Sequence, residues 1–194
     1  KSFILGKVFN SKWILERCMR DHGMRVNVDS LQQVSRKMSE SLKSIRACTS
    51  IDTLRGIEGD AAAQYFSVLN ELILSREEAF KFNGRSRRPP CDPVNAMLSL
   101  FYTMLSLDCS SALRGAGLDP YIGFMHTERP GRRSLALDCM EELRPVLVDR
   151  FVLTCINNHM VKPRHFIEHE SGEVRLTDEG RKVLFDAWQT KKRD

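Results

Sequence analysis

Residues 92–105 read Asp-Pro-Val-Asn-Ala-Met-Leu-Ser-Leu-Phe-Tyr-Thr-Met-Leu, and this stretch predicts a core helix. Asp92 is a preferred helix N-cap, and Pro93 suits the first helical position because the N–H that it lacks has no partner there. Large apolar residues then recur at the spacing of one helix face, namely Val94, Met97, Leu98, Phe101 and Leu105. The helical pattern continues through Leu113, and we expect it to end at Gly115 or Gly117.

The N-terminal quarter of the chain predicts an antiparallel helical hairpin. Residues 3–22 alternate apolar and basic groups in a helical manner, and Gly23 is a natural stop. We read Asp29 as the N-cap of a second helix, with Gln32 as its capping-box partner. The apolar stripe of that helix contains Leu31, Val34, Met38, Leu42 and Ile45.

The rest of the chain also has a helical character. Further helices are predicted to begin at Ser50, Ser134 and Thr177. Pro145 is expected to kink the second of these because it removes one internal hydrogen bond. Residues 82–93 contain glycine, prolines and three arginines, so they predict a loop. The predicted fold class is all-α, a bundle-like domain over residues 1–194 with at most one short β-hairpin near residues 165–176.

Composition describes an ordinary globular chain of 194 residues with 42% hydrophobic residues. No apolar run approaches the roughly 18 residues that a membrane span needs, and no signal peptide opens the chain. The chain begins with Lys1 and not with Met, so we expect a fragment of a longer protein. None of the six cysteines form a C-x2-C pair; we read them as reduced core residues, with disulfides or zinc left as alternatives.

The charge is unevenly distributed along the chain. Its net value is +5. Residues 1–48 contain ten Lys and Arg against four Asp and Glu, whereas residues 49–80 contain two against six. A basic face beside an acidic pocket is suited to a protein that binds phosphates and uses a metal. The alternative is that the basic helical pair is only a solvated surface.

Four ionisable residues stand out because they lie among apolar and small residues: Glu58, His126, Asp138 and Glu141. A carboxylate in such surroundings is costly unless it is paired or binds a metal. Two carboxylates and a histidine together suit a hard divalent cation that keeps positions open for phosphate or water. Each residue also has a structural reading, for example Asp138 as an acid favoured near a helix N-terminus.

The sequence resembles a known family, CRISPR-associated protein one, in its all-helical catalytic domain. The resemblance runs over nearly the whole chain. It rests on Gly6-Lys7 with Asn10, on the segments at residues 55–62, 117–126 and 134–145, and on residues 162–166. Those segments read Arg-Gly-Ile-Glu-Gly-Asp-Ala-Ala, Gly-Leu-Asp-Pro-Tyr-Ile-Gly-Phe-Met-His, Ser-Leu-Ala-Leu-Asp-Cys-Met-Glu-Glu-Leu-Arg-Pro and Lys-Pro-Arg-His-Phe. The sequence around His126 and Asp138 is most similar to that of the type I-C subgroup.

The resemblance implies a metal site. Glu58 matches the glutamate of the family's Gly-x-Glu-Gly motif, and His126 matches its histidine. Glu141 stands at the fourth position of an Asp-x-x-Asp/Glu motif, with Asp138 at the first. All four are therefore expected to be catalytic. Glu58, His126 and Glu141 are expected to bind Mg²⁺ or Mn²⁺, while the choice between Asp138 and Glu141 as the direct ligand stays open. A histidine ligand favours Mn²⁺ relative to an all-oxygen site.

The resemblance also implies an activity and partners. In the family, a 3′-hydroxyl of a spacer DNA attacks a phosphodiester of the CRISPR repeat, so we expect a prokaryotic, cytoplasmic endonuclease and integrase. Its expected partners are double-stranded DNA, CRISPR-associated protein two and a second copy of the full-length protein. The N-terminal β-rich dimerisation domain of the family has no match in this sequence, so we expect the chain to be the C-terminal catalytic domain. Sequence-independent contacts to the DNA backbone are expected from Lys7, Lys12, Arg85, Arg87, Arg88, Arg132 and Arg133.

Two alternatives from other classes stay open. One is a non-catalytic helical DNA-binding module in which the acids are structural. The other is a protein-interaction domain that docks a partner through its basic tail, residues 191–193.

Overall fold

The computed structural model describes residues 1–193, and it confirms the all-α class with one short β-hairpin. Asp194, the last residue of the predicted domain, lies outside the described residues. Over residues 1–193 the α-helices are α1 (Ser2–His22), α2 (Val28–Ala47), α3 (Ile51–Ser67), α4 (Leu69–Leu72), α5 (Pro93–Gly115), α6 (Ser134–Leu143), α7 (Arg150–Asn157) and α8 (Asp178–Lys191). Short 3₁₀ turns lie at Glu78–Phe80 and Pro163–His165.

The predicted helical hairpin is formed by α1 and α2, which pack on each other along their lengths. The apolar stripe of α2 is buried, with Leu31 and Ile45 fully enclosed. Its predicted N-cap was wrong. Asn27 is the cap, since its side chain accepts a hydrogen bond from the backbone N–H of Ser30 at 3.0 Å. Asp29 lies in the first helical turn, where an acid is still favoured by the helix dipole.

The central helix is α5, which packs against α6, against the segment that follows α6, and against the β-hairpin within residues 166–176. Asp92 caps it as predicted, because its carboxylate accepts from the N–H of Asn95 at 2.7 Å. A cluster of aromatic rings formed by Phe101, Phe151 and Trp188 joins α5 to α7 and α8. Burial of such rings is a large contribution to the stability of a core.

By length and composition, α5 is apolar enough to cross a membrane, with a mean hydropathy of 1.3. The expectation that no apolar segment approaches the roughly 18 residues of a membrane span was therefore wrong. Among the described residues no other helix meets these criteria. The large apolar residues of α5 predicted to be buried are enclosed by other elements of the chain, so we interpret α5 as the core helix of the domain.

Pro145 perturbs the helix, as expected, but the perturbation takes the form of a π-helical turn at Arg144–Asp149. Proline has no N–H to donate, so the regular ladder cannot continue through it. A π turn shifts the register by one residue and lets the chain resume as α7. Asp149, the last residue of this turn, faces α5, because the Tyr102 hydroxyl of α5 donates a hydrogen bond to its carboxylate.

The predicted hairpin is present as two antiparallel strands, β1 (Phe166–Glu168) and β2 (Val174–Leu176), in which Phe166 pairs with Leu176. Thr177 caps α8 as predicted, since its hydroxyl accepts from the N–H of Gly180 at 3.0 Å. The N–H of Val174 also donates to the carbonyl of Pro90 at 2.9 Å. The hairpin therefore holds one end of the long loop that precedes α5.

Two close approaches bring the first half of the chain onto α6. A Cβ on Gly6 would lie 2.8 Å from the Cβ of Glu142, so only glycine allows α1 to approach α6 this closely. Asn10 then donates from its side chain to the carbonyl of Glu142 at 2.7 Å. These contacts fix the register of α1 on α6, and they place Lys7 beside Glu141.

Candidate active site

Three helices bring Lys7, Glu58 and Glu141 to one point. Lys7 lies on α1, Glu58 in the middle of α3 and Glu141 on α6. The Lys7 ammonium donates to Glu58 Oε1 and, at 2.6 Å, to Glu141 Oε2. The side chains of Lys7 and Glu141 are only 12% and 4% exposed. Two carboxylates from elements 83 residues apart in sequence are therefore held together by one cation.

Glu141 is ionised although it is buried. Burial alone favours its protonated form, but Arg144 and Lys7 outweigh this effect and lower the pKa of Glu141 below its ordinary value. The Arg144 guanidinium lies 3.2 Å from Glu141 Oε1, one helical turn further along the chain. Glu141 is thus a charged carboxylate in the interior, an arrangement that requires cationic partners.

The loop of residues 116–133 between α5 and α6, hereafter the His126 loop, is anchored on Asp138. Asp138 accepts hydrogen bonds from the backbone N–H groups of Phe124, Met125 and His126 at 2.7, 2.9 and 3.0 Å. Burial opposes ionisation of Asp138, but the hydrogen bonds from the His126 ring and from these amides prevail and lower its pKa to about 2. Asp138 is therefore an ionised anchor for the loop.

Two further contacts fix the position of the His126 loop. The Arg55 guanidinium on α3 donates to the carbonyl of Met125 from Nε at 3.0 Å and from Nη2 at 2.6 Å. A Cβ on Gly123 would lie 2.6 Å from the Cβ of Ser134, so the loop packs directly on the start of α6. His126 is consequently held between α3 and α6.

The orientation of the His126 ring follows from Asp138. Nδ1 of His126 lies 2.6 Å from Asp138 Oδ1, and an ionised carboxylate can only accept, so Nδ1 carries the proton and donates it. In the neutral ring, Nε2 then has a free lone pair. Nε2 lies 3.8 Å from Glu141 Oε1, which is too long for a hydrogen bond, so the free nitrogen of His126 faces Glu141.

The structure thus places the four predicted residues in one connected network. Glu58 and Glu141 share Lys7, His126 faces Glu141, and Asp138 holds His126. Within residues 1–193, no three His, Cys, Asp or Glu side chains are already arranged around one point as a metal site. Lys7 occupies the space between the two glutamates. Two carboxylates and an imidazole are nevertheless a donor set that suits Mg²⁺ or Mn²⁺.

Lys7 and Glu58 lie on the wall of a cavity of about 320 Å³, hereafter the basic cavity. Six basic side chains line it, namely those of Lys7, Arg85, Arg87, Arg88, Arg133 and Arg144. Its acidic lining residues are Glu58 and Asp149. The Nε atoms of Arg133 and Arg144 are buried and have no hydrogen-bond partner among the described residues. Such an excess of positive charge is suited to phosphate.

The predicted DNA-contact residues have different surroundings. Arg87 and Arg88 are exposed at the cavity mouth. Arg85 is partly enclosed, because it donates to Asn95 Oδ1 at 2.6 Å and to Ser99 Oγ at 3.2 Å and lies over the Tyr102 ring. These contacts hold the loop before α5 against that helix.

The remaining basic residues of that prediction are Lys7, Lys12, Arg132 and Arg133. Lys7 is engaged by the two glutamates, and Lys12 pairs with Glu16 on α1 at 2.6 Å. Arg132 donates to the carbonyl of Thr127 at 3.5 Å, and Arg133 faces the basic cavity.

Sequence reasoning missed three residues at this site, Arg144, Tyr102 and Asp149. Arg144 lies over the Tyr102 ring at 4.8 Å, and the Tyr102 hydroxyl donates to the buried carboxylate of Asp149. Burial raises the pKa of Asp149 to about 6, while the hydrogen bond from Tyr102 limits the increase. The position of Arg144 three residues after Glu141 was a usable signal, because that spacing places both on one helix face.

Residues 1–190 match the family described as CRISPR associated protein Cas1. A similar protein from Rhodospirillum rubrum, described as CRISPR-associated endonuclease Cas1 2, is 48% identical over 203 residues, which cover 100% of this chain and 57% of that protein. The chain therefore spans little more than half the length of this relative.

Two solved structures have the same fold. One is described as a partial Cas6-RT-Cas1–Cas2 complex; it matches with a TM-score of 0.85 and 28% identity over 97% of this chain and 55% of that chain. The other is a casposase bound to integration product, with a TM-score of 0.81 and 25% identity over 97% of this chain and 50% of that chain. By the extent of the family match and these similarities, the chain belongs to the CRISPR associated protein Cas1 family.

Proposed function

We propose that this chain is the catalytic domain of a metal-dependent DNA endonuclease and integrase that acts in CRISPR adaptation. The observation that supports the proposal best is the network in which Glu58, Glu141 and His126 meet beside the basic cavity. Family membership and the names of the relatives support the same class of activity. The type I-C subgroup stays a prediction.

Glu58, Glu141 and the Nε2 atom of His126 would hold the metal. The donor set fits a hard or borderline divalent cation, Mg²⁺ or Mn²⁺. When bound, this cation neutralises the phosphate under attack and stabilises the attacking and leaving oxygens. We assign Asp138 a positioning role, because both of its oxygens already accept hydrogen bonds from the His126 loop.

The other side chains bind and orient the DNA. Arg87, Arg88 and Arg133 present positive charge to a phosphate in the basic cavity, without reading its sequence. Arg144 favours the ionised form of Glu141. The reaction that we propose is the transfer of a phosphodiester of the CRISPR repeat to the 3′-hydroxyl of a spacer DNA.

The proposed partners are double-stranded DNA, CRISPR-associated protein two and a second copy of the full-length protein. The likeness to a Cas6-RT-Cas1–Cas2 complex and to a casposase bound to integration product supports the first two. The dimer rests on the resemblance to the family alone. The proposed location is the cytoplasm of a prokaryote.

The second candidate is a helical DNA-binding module without catalysis, and the basic cavity favours DNA binding on its own. The two candidates differ in what the glutamates do. The test is Mn²⁺-dependent cleavage of a branched DNA by this chain, by Glu58→Gln and by Asp60→Asn, an exposed acid on the same helix. We expect cleavage by the parent and by Asp60→Asn only. No cleavage by any of the three proteins, with DNA binding retained, would leave the DNA-binding module as the better account. Equal cleavage by all three, freed of contaminating nuclease, would instead show that Glu58 is not part of the active site.

A further inference from the structure

The Lys7 ammonium occupies the position where a cation shared by Glu58 and Glu141 has to lie. It donates to one oxygen of each carboxylate and is 12% exposed. Asn10 and the glycine contact at Gly6 fix α1 on α6, so this position of Lys7 is set by the helix packing. Lys7 is therefore a built-in counter-ion for two carboxylates that would otherwise repel each other.

A lysine and a divalent cation cannot both sit between the same two carboxylates. Two like charges a few ångströms apart repel each other strongly, and the repulsion is stronger in a partly buried site than in water. Arg144 already provides a further positive charge at 3.2 Å from Glu141. Entry of the metal therefore has to be accompanied by departure of the ammonium group.

The basic cavity can accommodate the Lys7 side chain after it leaves the two glutamates. Lys7 already lines the basic cavity, and the lysine stem has four flexible carbons. Rotation about its side-chain bonds moves the ammonium away from the glutamates and into the cavity. There it adds positive charge next to the position that we assign to the DNA phosphate.

We propose that Lys7 competes with the divalent cation for Glu58 and Glu141, and that metal binding displaces it into the basic cavity. This inference rests on the proposed function, because it assumes that the two glutamates bind the metal. It gives Lys7 a double role. Before the metal binds, Lys7 holds the two glutamates together, and its competition lowers their affinity for the metal.

The first test is the affinity for Mn²⁺ measured by titration calorimetry on the parent, on Lys7→Met and on Lys12→Met. Lys12 is a matched control, since it is an ion-paired lysine on the same helix whose partner is Glu16. We expect Lys7→Met to bind Mn²⁺ about tenfold more tightly or better, because a competing cation has been removed. Lys12→Met is expected to bind like the parent. If Lys7 only supports the structure, Lys7→Met will bind Mn²⁺ equally or more weakly, and the proposal is then overturned.

The second test needs no substitution and so holds even if Lys7→Met fails to fold. The parent is treated with an amine-acylating reagent with and without Mn²⁺, and the modification of Lys7 and Lys12 is quantified by mass spectrometry. We expect Mn²⁺ to increase the acylation of Lys7 several-fold and to leave that of Lys12 unchanged. Equal acylation of Lys7 with and without bound Mn²⁺ would overturn the proposal.

Failure of this inference is distinguishable from failure of the proposed function by including Glu58→Gln. If Mn²⁺ binds the parent and not Glu58→Gln, but Lys7 behaves like Lys12 in both tests, only the role of Lys7 is wrong. If Glu58→Gln binds Mn²⁺ as the parent does, or the parent does not bind it, the metal site and this inference fail together.

Discussion

Asp138 and His126 form a pair in which the carboxylate fixes both the position and the tautomer of the imidazole. Asp138 Oδ1 lies 2.6 Å from Nδ1 of His126, and the same carboxylate accepts from three backbone amides of the His126 loop. A single acid on α6 thereby makes Nε2 the available nitrogen and directs it toward Glu141. This arrangement of carboxylate and histidine is one that metal sites commonly use.

Substitution Asp138→Asn is expected to weaken Mn²⁺ binding by about 10- to 100-fold, the usual effect of losing a residue that orients a ligand. The amide keeps the size of the side chain but loses one acceptor and the charge. Asp119→Asn is the control, since Asp119 is an exposed acid that accepts only from the N–H of Tyr121 in the same loop. Calorimetry measures both affinities. Unchanged affinity in Asp138→Asn would mean that the loop position does not depend on this carboxylate.

Substitution Gly6→Ala is expected to destabilise the protein by about 1–3 kcal/mol, because the added methyl group would overpack the contact between α1 and α6. Gly56→Ala provides a matched control on α3, where a Cβ meets nothing within 4 Å. There, replacing a glycine inside a helix is expected to stabilise by roughly 0.5–1 kcal/mol. Urea unfolding measures both changes. Two changes of the same sign would contradict the close approach at Gly6.

Joint replacement of Arg87 and Arg88 by Ala is expected to weaken binding to all DNA duplexes similarly. Each lost phosphate contact should flatten the dependence of log affinity on log salt by about one. Arg85 is left in place because it is bonded to Asn95 and Ser99 and its loss would disturb the loop. The control is Arg164→Ala, an exposed arginine paired with Glu179 away from the cavity. A loss confined to one DNA sequence would instead indicate base readout.

The buried Asp149 predicts a specific dependence of stability on pH. Its folded pKa of about 6 lies above the ordinary value of 3.8, so between these values the folded protein holds a proton that the unfolded chain has released. Stability from this group is present at low pH and is lost as pH rises through about 6. The unfolding free energy of Asp149→Asn relative to the parent should therefore increase by about 2–3 kcal/mol between about pH 4 and pH 7. A relative stability that does not change with pH would contradict the raised pKa.

Several helices were predictable because they carry both an apolar period and a helix-start signal. Asp92-Pro93, Ser50 and Thr177 were read as helix starts, and the structure confirms each. The misplaced cap at Asp29 has a local cause. Asn27 and Asp29 are both residue types that cap helices well. The cap is the one with a non-helical backbone, here Asn27, and the packing of the turn before α2 determines which residue that is.

The surroundings of the basic residues could not be predicted in the same way. Lys7 was read as a phosphate contact, but its partners lie 51 and 134 positions away in the sequence. Likewise Arg85 was read from its arginine-rich loop, while its contacts depend on how that loop packs on α5. Local patterns describe helix faces well, whereas ion pairs between distant elements are set by the tertiary packing.

Binding of one divalent cation by Glu58, Glu141 and His126 can be observed by anomalous diffraction from a crystal of this chain soaked with Mn²⁺. We expect one strong anomalous peak about 2.0–2.4 Å from an oxygen of Glu58, an oxygen of Glu141 and Nε2 of His126, with the Lys7 ammonium moved away. A peak bound by other residues, or Mn²⁺ confined to the surface while Lys7 still joins the two glutamates, would show that these three residues do not form a metal site.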